Sequence, residues 1–283
     1  MDLGITIHLT DQSIDIRELA VAVEERGFSS LWVPEHTHIP TSRATPQPGG
    51  GDLGDEYSRS PDPWVSLAVA AVVTEHLRIG SGVALVAQHH PINLAKVVAT
   101  VDAISGGRTV VGVGFGWNRE EMAHHGVDYI TRRARVREHI EAMRTLWAED
   151  EAQYHGEFVD FDSCWSWPVP SQPGGPPIMV GGGGGPRLFA EVAKWADGWL
   201  PIGGAGLRSG IENLQVACEA VGRDADEISI IPFGTLPTEG KLAHYDSLGV
   251  VETVLRVPSA GRDEVLRVLD EYTKFVGAER HSD

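Results

Sequence analysis

Apolar positions along the chain switch between two periods. Residues 3–9 form a short apolar run with Thr and Ile, which has the composition of a strand. Ile16, Leu19, Ala20 and Val23 then recur at helical spacing, with Asp11 and Ser13 available as caps and Gly27 as a stop. The alternation repeats down the chain. Further strands are predicted over 29–33, 77–86, 109–113, 177–180, 198–202, 228–233 and 249–257. A helix is predicted over 64–75, and another along the stripe Leu94, Val97, Val98 and Val101, which Ser105-Gly106-Gly107 ends. A longer helix carries the stripe Val136, Ile140, Met143 and Trp147, and others are predicted over 186–196, 207–221 and 263–276. Segments 34–62 and 150–176 are rich in Pro and Gly and read as irregular. A loop as long as the first is expected to serve as a lid or binding loop.

Eight strands alternating with helices imply parallel βαβ units. With no internal linker, the expectation is a single α/β domain over 1–283: a (β/α)8 TIM barrel with insertion loops. The 283 residues suit one such barrel, which takes about 250. Active sites of this fold lie where the strands end, which directs attention to His8, Glu35-His36, the turn after Ser81, and segments 114–118 and 181–185.

Charge narrows the classes of partner. The formal net charge of −17 disfavours a nucleic-acid or anionic-membrane role, although it says nothing about a single cleft. No apolar run is long enough to span a bilayer. The start, MDLGITIHLTDQS, has neither a basic n-region nor a small-residue cleavage site, so a cytoplasmic protein is expected. Cys164 and Cys218 have no CxxC spacing, so neither a redox nor a zinc motif is indicated.

Gly181 to Gly185 follow Val180 and precede Pro186, which suits a first helical position. Glycines at a helix start let backbone N–H groups approach a ligand, so Gly182, Gly183, Gly184 and Gly185 read as a phosphate cradle, with Arg187 as an additional donor. The run is neither a Walker A loop nor a GxGxxG in a first βαβ unit. His36 and His38, two apart on an extended segment, point the same way and make a metal site thinkable. This pair follows the second strand, however, whereas barrel metallohydrolases carry theirs at the end of the first; no metal is expected. Histidine as a residue type can exchange a proton near neutral pH, and its place at a barrel strand end makes His36 a functional candidate. The run Arg132-Arg133-Ala134-Arg135-Val136-Arg137 reads as a solvated helix face pairing with Glu138 and Glu141. The competing reading is that it steers an anionic cofactor tail; Arg43 and Arg59 are alternative contacts for such a tail.

Several segments together resemble the bacterial luciferase-like monooxygenase family, and most closely its deazaflavin (coenzyme F420) branch. They are RGFSSLWVPEH (26–36), LRIGSGVALVAQHHP (77–91), DAISGGRTVVGVGFGWNREE (102–121), IEAMRTLWAE (140–149), PPIMVGGGGG (176–185) and WADGWLP (195–201), in order over about residues 1–202. The resemblance implies a cofactor ring at the strand ends, with Glu35-His36 beside it and His36 as the polar catalytic group. Glu35 would orient His36 or contact the ring. It also implies a bulge after the third strand, with a non-prolyl cis peptide at Gly82–Val83. Gly114 to Trp117, including Gly116, would line the ring or the side chain, and Gly182–Gly185 would hold the phosphate. His8 and Ser81 complete the expected cofactor contacts. Sugar-phosphate-oxidising members carry an acidic residue soon after the VGxG strand; here Trp117-Asn118 stands there, with Glu120 later. The resemblance therefore does not extend to a sugar phosphate.

The implied activity is an F420-dependent oxidoreductase acting on a small, largely apolar organic molecule. The alternatives are an FMN-dependent monooxygenase using oxygen and a deazaflavin-binding protein without turnover. The family also implies a homodimer.

Overall fold

The computed structural model describes residues 1–277. Strand β1 (Asp2–Thr6) leads into α1 (Ile16–Glu25), then β2 (Ser30–Val33) and a long loop that ends at α2 (Pro63–Val72). Next come β3 (Arg78–Ala84), α3 (Pro91–Ser105), β4 (Thr109–Val113), the short α4 (Arg119–His124) and the long α5 (Arg132–Ala148). A hairpin of β5 (Ala152–His155) and β6 (Asp160–Cys164) precedes β7 (Ile178–Gly181), α6 (Pro186–Trp195), β8 (Gly198–Leu200) and α7 (Leu207–Glu219). The chain continues through β9 (Ser229–Ile230), β10 (Phe233–Thr235), α8 (Glu239–Asp246), β11 (Glu252–Arg256) and α9 (Arg262–Tyr272).

Among the described residues nine strands make one curled parallel sheet in the order β10-β11-β1-β2-β3-β4-β7-β8-β9. The strands at its two ends are successive pieces of chain separated only by Ile231 and Pro232. Ile231 N–H donates to Trp199 O at 3.0 Å, and Val254 N–H donates to Pro232 O at 2.8 Å, so this stretch bonds towards β8 on one side and β11 on the other. The architecture is TIM-barrel-like, but the expected strict alternation of eight strands with eight helices is not reproduced. The strand predicted over 228–233 is split at Pro232, which has no N–H to give a ladder. The segment read as irregular, 150–176, contains the antiparallel β5–β6 pair. His124-His125 reads as a helix end, and α4 does end there; α8 (Glu239–Asp246) falls where no helix was predicted, being short, with little periodic signal to find.

Alternate residues of the strands feed two separate cores, as a period of two requires. Trp32, Val110, Met179, Leu200, Phe233 and Val254 cluster on one face without any helical residue, so they fill the concave side. Leu31, Val33, Val111, Val113 and Val180 belong to the larger cluster, which joins the sheet to α1–α9. Arg108 fastens the helices at the base: its guanidinium donates to the carbonyls of Ala71, Thr74, Leu77 and Ser105 at the ends of α2 and α3. Among the described residues no helix is long and apolar enough to cross a membrane.

The strands are also tied at their amino-terminal ends. Glu252 of β11 is buried, and its carboxylate accepts from Ser29 Oγ at 2.7 Å, from Ser30 Oγ, and from Arg78 Nη2 at 2.9 Å. One side chain thus links β11 with β2 and β3. Truncating it removes the acceptor of the buried Ser30 hydroxyl and the partner of Arg78, whose side chain is 41% exposed. Glu252→Ala is expected to lower stability by about 2 kcal/mol. A urea midpoint equal to that of the parent would refute the assignment.

Candidate active site

Because the strands of the sheet are parallel, their carboxyl ends share one rim. A cleft of about 700 Å³ opens there. It collects His8 after β1, Glu35 and His36 after β2, Gly82 and Val83 of β3, Gly114 to Trp117 after β4, and Gly181 to Gly183 from β7 onward. Gln47, Pro48, Gly49 and Tyr57 of the long loop also line it, as do Arg132 and Arg133 at the start of α5. Residues more than a hundred positions apart in sequence thus meet in one cavity.

His36 is buried, with 8% of its surface exposed. Its Nδ1 lies 3.0 Å and 3.1 Å from the two oxygens of Glu121, whose exposure is 1%. Glu35 lines the cleft but does not orient His36. Its carboxylate accepts from Leu85 N–H and, at 2.7 Å, from His89 Nε2, so it braces the segment after β3. Neighbours on an extended chain point to opposite sides, so Glu35 and His36 cannot both turn the same way. Glu121, not Glu35, orients His36. Sequence reasoning missed this role for Glu121, although a signal existed: Asn118 is a helix-capping residue type, and its Oδ1 accepts Glu121 N–H at 3.1 Å. Burial opposes a charge on His89, but the hydrogen bond to Glu35 and its negative charge outweigh that and raise the His89 pKa.

Tyr57 sits on a single turn of 3-10 helix, Asp55–Arg59, within the loop. Its ring lies 4.8 Å from His8 and 5.4 Å from His36, and Trp117 stands 6.0 Å from His36 in an edge-on arrangement. These rings wall one end of the cleft. The loop is fastened over it by the pairing of His8 Nε2 with Ser60 Oγ at 2.6 Å and by an Arg59–Asp11 ion pair at 2.9 Å. Arg59 is therefore engaged elsewhere, and Arg43 donates to the carbonyls of Pro40 and Ser42.

The bond Gly82–Val83 is cis, at the register shift between Ser81 and Ala84. A Cβ at Gly82 would fall 2.3 Å from the Phe233 ring, so only glycine fits. Ser81 does not reach the cleft: it is buried, and its hydroxyl donates to Gly112 O at 2.9 Å. The glycine run is divided. Gly182 and Gly183 line the site, whereas Gly184 and Gly185 line a neighbouring cleft of about 590 Å³ beside Phe189 and Trp199. Gly182 has φ +146°, and a side chain there would collide with Leu188; at Gly183 a Cβ would meet nothing within 4 Å. Arg187 is exposed at the start of α6.

The arginine run is not the solvated face that sequence reasoning favoured. Glu138 accepts from the N–H groups of Phe158 and Val159, and Glu141 from Tyr154. Arg132 instead stacks on Tyr129, 3.6 Å from the ring centre, and Arg133 on Phe115 at 4.1 Å. Arg132 Nε and Arg133 Nη1 are buried without a hydrogen-bond partner. Burial, with the charge of Arg132 beside it, lowers the Arg133 pKa. His36 and His38 do not converge, since His38 turns to Thr37 and His124. Among the described residues no group of three or more His, Cys, Asp or Glu is placed to hold a metal ion.

This chain belongs to the luciferase-like monooxygenase family, whose model matches residues 6–238. An uncharacterized protein of Mycobacterium tuberculosis (strain H37Rv) is 41% identical over 268 residues, 93% of this chain and 94% of that protein. The F420-dependent glucose-6-phosphate dehydrogenase of Amycolatopsis mediterranei is 28% identical over 222 residues, 76% of this chain and 61% of that one. The oxygenase component of the flavin-dependent trigonelline monooxygenase of Acinetobacter baylyi is 31% identical over 175 residues, 61% and 43% of the two chains. In fold, the chain is similar to an F420-dependent secondary alcohol dehydrogenase solved with an F420–acetone adduct: TM-score 0.77, 16% identity, 96% of this chain and 97% of that one. Family members are oxidoreductases and monooxygenases, and relatives of both cofactor classes match this chain.

Burial, reinforced by the nearby His36 and opposed by Glu56, lowers the pKa of His8 to about 4, from 6.5 when unperturbed. The unfolded chain therefore binds this proton first on acidification. The stability that neutral His8 contributes is complete above pH 6.5 and is lost as pH falls towards 4. His139, buried on α5 with its pKa lowered to about 4, acts in the same direction. We expect unfolding free energy to drop across this window and His8→Gln to flatten the drop. Equilibrium denaturation at several pH values checks this, and an unaltered slope would count against it.

Proposed function

We propose that the protein is an F420-dependent oxidoreductase that moves a hydride between a deazaflavin and a small, largely apolar organic substrate. One observation carries this reading: a single cleft joins an acid–base group to an anion seat. At one end stands His36, held by Glu121 and walled by Tyr57 and Trp117. Gly181 to Gly183 line the same cleft, as do two arginines with buried, unpartnered nitrogens.

The residues present fit such a cofactor. Buried, orphaned donor nitrogens on a half-buried guanidinium are costly unless a ligand accepts from them, and a phosphate or carboxylate is the natural acceptor. The open space at Gly183 lets backbone N–H groups approach the same anion. The cleft volume of about 700 Å³ is of the size that takes a ring system together with a small substrate. Arg132, Arg133, Gly182 and Gly183 would hold the anionic part, and the bend at Gly82–Val83 would back the ring.

When bound, the deazaflavin supplies a carbon that accepts or returns hydride. His36 takes the substrate hydroxyl proton as hydride departs, or returns it in the reverse direction. Tyr57 and Trp117 keep water from the reacting end, and the apolar wall of Val83, Leu85, Leu188 and Ile202 favours an uncharged substrate. The similarity to an F420-dependent relative supports this choice of cofactor. The flavin-dependent relative makes FMN the alternative, with oxygen as co-substrate.

Titration with oxidised F420 and with FMN, followed by fluorescence quenching, tests the reading. F420 is expected to bind with a Kd below about 100 μM, roughly −5.5 kcal/mol. If neither cofactor binds in that range, the proposal fails; FMN binding alone, with oxygen-dependent turnover, would favour the monooxygenase. Arg133→Ala should weaken F420 binding by about tenfold, the scale of one hydrogen bond to a charged group. His36→Ala should leave binding nearly intact and cut turnover by at least ~100-fold.

A further inference from the structure

We propose that Glu121 is a positioning residue that commits His36 to one tautomer, with the proton on Nδ1 and a bare Nε2 facing the cleft. A carboxylate accepts hydrogen bonds and does not donate them. With both oxygens of Glu121 within 3.1 Å of Nδ1, that nitrogen is the donor. The pair is desolvated, His36 being 8% and Glu121 1% exposed, so the interaction is strengthened by its surroundings. Nε2 makes no hydrogen bond among the described residues, and it is not one of the sealed-off unpaired atoms. It therefore opens on the cleft that His36 lines.

The two chain segments that bring the pair together are fastened to each other. Asn118 caps the turn that carries Glu121, accepting its N–H. Directly after His36, Thr37 Oγ1 lies 2.8 Å from His125 Nε2, and His38 Nε2 lies 2.8 Å from His124 Nδ1. His124 ends α4 and His125 follows it. The segment after β2 is thus pinned to the end of α4 beside the Glu121 contact. Such bracing holds a ring in one orientation, as reaction at a single nitrogen requires.

This inference rests on the proposed reading for its catalytic meaning: a bare Nε2 is the form that accepts a proton from a substrate hydroxyl. Neutral histidine without a partner is free to place its proton on either nitrogen, so a fixed tautomer is a signature that mere packing does not produce.

The test uses the full chain labelled with 15N-histidine, without cofactor or substrate, at about pH 8.5. Long-range 1H–15N correlation spectra report the tautomer, and the His36 signals are assigned with His36→Gln. The expected result is Nδ1–H in the parent, favoured at least about tenfold, as befits a charge-assisted hydrogen bond. In Glu121→Met, which removes the acceptor at similar volume, that preference should disappear. An Nε2–H tautomer in the parent overturns the proposal, as does an Nδ1–H preference that persists in Glu121→Met. If that variant does not fold, Glu121→Leu and the parent spectrum still decide the matter. Failure of the F420 titration would leave the tautomer result standing, so the two readings are tested apart.

Discussion

A curled parallel sheet has all its carboxyl ends on one side, and the chemistry of this protein depends on that constraint. It gathers His36 from β2, the glycines that follow β4 and β7, and the bend in β3 around one cleft. None of these segments is long or specialised by itself. The sheet holds its curl because Trp32, Phe233 and their neighbours fill the concave side while the helices cover the other. Glu252 secures the opposite rim, away from the cleft. The two ends of the sheet thus divide the work: ion pairing holds the strands together below, and the loops above are left to vary.

Electrostatics in the cleft run against those of the whole chain. The net charge is −17, yet two arginines line the cleft. Their stems and planes rest on Tyr129 and Phe115. Stacking of this kind keeps a guanidinium in place without satisfying its donors. The acidic surface and the basic seat are therefore compatible, because short-range hydrogen bonding decides what a cleft accepts whereas net charge acts at distances that salt screens. Carboxylates are distributed on the same principle. Glu35 and Glu121 are both buried near His36, but one braces the backbone after β3 and the other holds the imidazole.

The long loop adds what the barrel frame lacks. Tyr57 projects from it against His8 and His36, and the loop is held down by Ser60 and Arg59. Its other residues are largely exposed. Gln47, Pro48 and Gly49 of the same loop also line the cleft, so the loop is part of its wall.

Much of the frame was legible from local pattern. Periods of two and of 3.6 are properties of neighbouring residues, so the order of strands and helices and the positions of the glycine turns follow from the chain alone. The candidate rim residues His8, His36, Gly114, Trp117 and Gly182 could be named on that basis, since each stands where a strand ends. The directions of side chains could not. His36 and Glu121 lie 85 positions apart, and only packing of α4 against the end of β2 brings them together. The same holds for Arg133, whose aromatic support Phe115 comes from the loop after β4, and for the glycine run, which divides between two clefts. Pro232 marks the boundary between the two kinds of knowledge. Its missing N–H is written in the sequence, but where the interrupted strand finds its neighbours is decided by the sheet as a whole.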